Sequence, residues 1–183
     1  MKTHKILVTT IATALFTFTT APAIFAADGA TTEVTKSEQA ADGLFMDAVF
    51  RCNLAEIKAA EVAKETTKRD DVKDFANMMI RDHTDVNKNL KTITDKMKIE
   101  LPKDPGPDNQ VWLNKIITAP AAEFDRVYID TMVEEHRKAV DMFEKFARTT
   151  KSAELKEFAN NTLPGLRTHL QKSLEWQKVI ASK

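Results

Sequence analysis

A chain of 183 residues, 43% of them hydrophobic, is long enough to bury a sizeable core in one globular domain. With only 4 Gly and 6 Pro it reads as neither all-β nor disordered. The 27 basic and 27 acidic side chains balance, and no basic run stands out, which argues against nucleic acid as a partner.

The first 26 residues read as a secretory signal peptide: Lys2 and Lys5, an uncharged Thr-rich apolar run Ile6–Thr20, then Ala21-Pro22-Ala23 and Ile24-Phe25-Ala26 near a cleavage point. The protein is therefore expected to be exported, either periplasmic or secreted. No cysteine stands at the junction to carry a lipid, and no second apolar segment is long enough to span a membrane. Cys52 is the only cysteine, so no internal disulfide is available and stability must come from packing. Residues 27–39 are small and polar and are expected to form a flexible leader.

From residue 40 to 181 the spacing predicts four long helices. The first, over about 40–67, carries Phe45, Ala48, Val49, Cys52, Ala55, Ala59, Val62 and Ala63 at intervals of three and four, with Glu56 inside that stripe. The second, over about 70–97, opens on Asp70 and Asp71 at its positive end and places His83 among Val72, Phe75, Met79, Val86 and Leu90. Residues 98–120 contain Pro102, Pro105 and Pro107 and cannot continue a helix throughout. They read as a long crossover with a short helix over 108–118. The third long helix (about 121–148) turns Asp125 and His136 inward. The fourth (about 152–180) carries His169 near its middle and Pro164 within it.

Two of these segments repeat. Thr66-Thr67-Lys68 aligns with Thr149-Thr150-Lys151, and the same offset of 83 residues carries Val72-Lys73-Asp74-Phe75-Ala76-Asn77 onto Leu155-Lys156-Glu157-Phe158-Ala159-Asn160 without a gap. The simplest account is a duplicated αα-hairpin. Two such hairpins joined by a long crossover make a ferritin-like four-helix bundle.

In that bundle Glu56, His83, His136 and His169 fall within about one turn of mid-length. Imidazoles and carboxylates converging from four helices are how bundle metal sites are built, and Asp82 and Asp125 are further acids within reach. Iron, copper or zinc are the expected ions. The Glu-x-x-His pair of a di-iron bundle is missing, because Ile80, Val133 and Leu166 stand three residues before the histidines. Met79 and Met132, each one turn before a histidine, suit copper. The competing expectation is that the histidines satisfy buried hydrogen bonds with nearby acids. Cys52 reads as a small buried hydrophobe.

The segments Asn53-Leu54-Ala55-Glu56-Ile57, Arg81-Asp82-His83-Thr84, Phe124-Asp125-Arg126-Val127-Tyr128, Glu135-His136-Arg137-Lys138-Ala139-Val140 and Thr162-Leu163-Pro164-Gly165-Leu166-Arg167-Thr168-His169-Leu170 resemble the exported bacterial domain-of-unknown-function family 4142. The resemblance implies a ferritin-like bundle and no established activity. The family's motif positions include Glu56, Asp82, His83, Asp125, His136 and His169. Two readings of function follow. One is metal binding through an inward Glu/Asp/His cluster. The other is a non-catalytic envelope stress or interaction module whose cluster is a buried hydrogen-bond network.

Overall fold

A computed structural model describes residues 28–182. The expected signal peptide lies outside the described residues. Among those described the chain is all-α: α1 (Asp28–Thr66), α2 (Asp70–Met97), α3 (Gly106–Ile117), α4 (Phe124–Thr149) and α5 (Ala153–Ala181). No helix among them is long and apolar enough to cross a membrane.

The expected flexible leader is corrected by this structure, because residues 28–39 are the first turns of α1. This stretch contains no proline and a single glycine, Gly29. Once the apolar stripe from Phe45 onward holds a helix, adding turns to it avoids the cost of nucleation. The short helix of the connector begins at Gly106, slightly earlier than its sequence suggests.

The helix ends follow local chemistry. α2 starts on Asp70 and Asp71 and stops where Lys98 turns left-handed (φ 56°). There the amide of Ile99 bonds back to the carbonyl of Thr94 at 2.9 Å, a Schellman closure. The two tight turns are built alike. Thr67 Oγ1 accepts from the amide of Arg69 at 3.1 Å, and Thr150 Oγ1 accepts from the amide of Ser152 at 3.1 Å. Ser152 Oγ then caps α5 by accepting from the amide of Leu155. α3 is tied down by Arg51, whose Nη1 donates to Asp104 Oδ1 at 2.8 Å while its Nε donates to Asp47. Gly106 suits this tie twice over. It sits at φ 72°, and a Cβ there would lie 3.1 Å from Arg51 Cδ.

α1 packs on α2 and α4 packs on α5. α1 also touches α4, and α2 touches α5, so the four long helices close a ring. α3 leans on α1 and α4. Buried Thr150, after α4, donates to Asp42 near the start of the bundled part of α1 (2.9 Å), so these helices run antiparallel. Lys96 near the end of α2 pairs with Glu154 at the start of α5.

The apolar core is divided. One cluster joins Ala55–Ala63, Val72–Met79 and Phe124–Met132, with Trp176 and Ile180 against it. The other joins Phe45–Val49, Leu90, Ile93, Ala139, Phe143 and Leu155–Leu166. Every long helix places two buried polar residues near the junction: Asn53 and Glu56, His83 and Asn87, Glu135 and His136, His169 and Ser173.

Candidate metal centre

α1, α2, α4 and α5 each contribute to this polar layer. His83, His136 and His169 are 1%, 0% and 3% exposed, and Glu56 is 1% exposed. A ring nitrogen from each histidine lies within 4.8 Å of the other two. Their ring centroids are 5.2–5.6 Å apart.

The partners of the outer nitrogens fix which nitrogens are free. His136 Nδ1 lies 2.9 Å from the carbonyl oxygen of Met132, which can only accept, so Nδ1 carries the proton and Nε2 a lone pair. His169 Nε2 donates to Asp82 Oδ2 at 2.9 Å, which leaves the lone pair on Nδ1. These two lone-pair nitrogens, His136 Nε2 and His169 Nδ1, face each other at 3.3 Å with no proton to share. His83 Nδ1 faces Glu56 Oε2 at 3.0 Å and Asn53 Oδ1 at 2.9 Å. Its Nε2 is buried with no hydrogen-bond partner.

This donor set fits a metal ion. Two imidazole nitrogens bound to one ion at about 2.0–2.1 Å stand roughly 3.3–3.5 Å apart, the spacing His136 and His169 already show. The orphaned His83 Nε2 would supply a third ligand. Each of the three rings has its other nitrogen held by an oxygen, the outer arrangement that would orient metal-bound histidines.

Electrostatics agree with neutral imidazoles. Burial pushes the His83 pKa well down, and the neighbouring histidines add to it. Burial, with His169 beside it, takes His136 down to about 3. Burial also lowers His169, against the pull of Asp82. For Asp82 itself, hydrogen bonds from Arg81 and His169 outweigh its partial burial and hold it below the usual carboxylate range. Burial, with the Glu135 carboxylate nearby, raises Glu56 to about 8.

Of the residues singled out in the sequence, Glu56, Asp82, His83, His136 and His169 meet in this layer. The two acids contact the outer nitrogens of the rings. Asp125 does not join them. It sits in the first turn of α4, eleven residues before His136 and about 16 Å away along the helix. The offset of 83 residues places it opposite Asp42, the partner of the Thr150 turn. Met79 and Met132 lie in the apolar cluster below the layer. Cys52 is half-buried at a surface cleft between α1, α4 and the start of α3. Burial, with Glu56 and Glu135 nearby, raises its thiol pKa well above normal, which disfavours the thiolate.

The model of the Domain of unknown function (DUF4142) matches residues 26–175. The chain belongs to the DUF4142 family. No protein of curated function matches it in sequence. Among solved structures, this DUF4142 protein is similar to CopM in the Cu(II)-bound form. The two are 22% identical over 75% of this chain and 95% of that one, with a TM-score of 0.65. CopM in the Ag-bound form by soaking gives 23%, 75%, 94% and 0.63, and CopM in the apo form gives 23%, 75%, 96% and 0.62. At such identity the likeness is one of fold.

Two members of the layer carry no obvious signal in the sequence. Asn53 Nδ2 donates to Asn87 Oδ1 at 2.8 Å, and both residues are buried. The available clue is position: Asn53 precedes Glu56 by three and Asn87 follows His83 by four, so both interrupt an apolar stripe.

Proposed function

We propose that this DUF4142 protein is an exported, ferritin-like bundle of two αα-hairpins joined by the Pro-rich crossover 98–120, and that it binds one monovalent copper ion. His83, His136 and His169 are the ligands. Glu56 and Asp82 orient them from outside, and Asp125, eleven residues before His136 on α4, takes no part. The observation that carries this reading is the meeting of His136 Nε2 and His169 Nδ1 at 3.3 Å, the two lone-pair nitrogens left by the partners of their rings. A hydrogen-bond network would put a proton there.

Three neutral nitrogens add no negative charge to the ion. A buried site of that kind favours a singly charged cation over a doubly charged one, because the desolvation cost rises steeply with charge. That CopM has been solved with Cu(I), Cu(II) and Ag supports copper over iron or zinc.

The test is elemental analysis of untagged mature protein from the periplasm, followed by titration with Cu(I), Ag(I), Zn(II) and Fe(II). One equivalent of Cu(I) or Ag(I), lost in His136→Ala/His169→Ala, is the expected result. Protein that stays metal-free and takes up none of the four ions ends the metal reading and leaves the envelope module with a buried network. Uptake of Zn(II) or Fe(II) in preference to Cu(I) keeps the site and overturns the choice of ion.

A further inference from the structure

We propose that Asn53 is a positioning residue that sets the tautomer of His83 and thereby aims the third ligand lone pair into the site. The proposal rests on the copper reading for its consequence but not for its geometry.

His83 Nδ1 has two oxygen neighbours, Glu56 Oε2 at 3.0 Å and Asn53 Oδ1 at 2.9 Å. Glu56 cannot decide where the imidazole proton goes. A carboxyl group presents an acceptor when ionised and an O–H donor when protonated, and this one is also shared with His136, whose Nδ1 is 3.5 Å from Oε1. Asn53 can decide. Its amide nitrogen is committed to Asn87 Oδ1 at 2.8 Å, so the oxygen is the end that meets His83. An amide oxygen only accepts, hence His83 carries its proton on Nδ1 and its lone pair on Nε2, the atom that is buried without a partner. The chain Asn87–Asn53–His83 thus runs from the α1–α2 contact into the site.

The duplication supplies an independent observation. Asn53 and His136 are equivalent under the offset of 83 residues. In the second hairpin that position holds a ligand, and in the first it holds the residue that supports one. Both are buried at the same junction of the two apolar clusters.

The first arm is ¹⁵N NMR of metal-free protein, reading the two ring nitrogens of His83. A protonated Nδ1 and bare Nε2 are expected. The reverse tautomer, which requires both asparagine amides to be turned over, overturns the proposal. The second arm compares Asn53→Leu and Asn53→Asp by Ag(I) titration. Asn53→Leu removes the acceptor and is expected to mix the His83 tautomers and weaken Ag(I) binding about 10–100-fold. Asn53→Asp keeps an acceptor that Asn87 can serve by turning its amide, and is expected to hold both tautomer and affinity within a few-fold of wild type. Asn53→Leu with an unchanged tautomer and affinity refutes the assignment, as does failure of Asn53→Asp to outperform it. Wild-type protein that binds no silver defeats the copper reading alone, since the NMR arm still judges Asn53.

Discussion

The helix pairs α1–α2 and α4–α5 are alike where they turn and unlike where they meet. Thr67 and Thr150 make the same hydrogen bond two residues onward, and Phe75-Ala76 and Phe158-Ala159 fill equivalent core positions. At mid-length the copies part. Asn53 stands against His136, Glu56 against Ala139, His83 against Leu166, and Val86 against His169. The first hairpin supplies one imidazole and every side-chain oxygen that orients a ring. The second supplies two imidazoles. On the proposed duplication, the candidate site lies at four positions where the copies differ.

The largest expected effect comes from removing a proposed ligand whose equivalent in the other helix pair is an asparagine. His136→Ala should weaken Ag(I) binding at least 100-fold in a competition titration. Ala139→Gly, one turn further along α4, should leave it within a few-fold. Equal losses from both would mean that packing, and not ligation, is being measured.

Glu56 has no acidic counterpart in the second hairpin, and its burial should be visible in stability. In Glu56→Leu, His83 keeps Asn53 and His136 keeps the Met132 carbonyl, so no ring donor is orphaned. Metal-free Glu56→Leu should be more stable than wild type by about 1–3 kcal/mol in urea. The pH profile sharpens this. Glu56 is raised from 4.5 to about 8, so its contribution is complete below pH 4.5 and is lost as pH rises through 8. His136 is lowered from 6.5 to about 3, so its contribution is complete above pH 6.5 and is lost as pH falls toward 3. His83 and His169 shift the same way as His136. Metal-free wild type should therefore be most stable at roughly pH 6.5. Glu56→Leu should lose the decline above that pH and keep the one below it. An unchanged alkaline slope in the variant would assign the decline to another group.

The turns test the similar half of the comparison. Thr150→Val removes the buried bond to Asp42 and should cost about 1–3 kcal/mol, read as a lowered urea midpoint, with silver stoichiometry intact. The smallest effect is expected at Gly165, inside α5, where a Cβ would meet nothing within 4 Å. Gly165→Ala should raise stability by about 0.5–1 kcal/mol by thermal melting, without altering metal binding.

Much of the bundle was legible because its signals are local and repeated. Apolar residues at three- and four-residue intervals marked the buried faces, the acids at Asp70 and Asp71 marked a helix start, and the recurring Thr-Thr-Lys turn exposed the duplication. The leader was misjudged because a polar segment with no stripe of its own can borrow a helix already held downstream. The meeting of His83, His136 and His169 was legible because each interrupts an apolar stripe near mid-helix. Asp125 satisfied the same periodicity eleven residues too early along α4, since periodicity reports direction more sharply than depth. The division between ring-binding acids and free ring nitrogens was not legible, because tautomers depend on partners brought from other helices.

Asp82 is the acid with its side chain one-third in solvent, while the side chains of His169 behind it, His83 and His136 are all buried. An ion held by those three rings would lie behind the His169–Asp82 pair. Its residence time would then follow the breathing of α2 against α5, the helices that carry that pair, as much as the strength of the coordinate bonds.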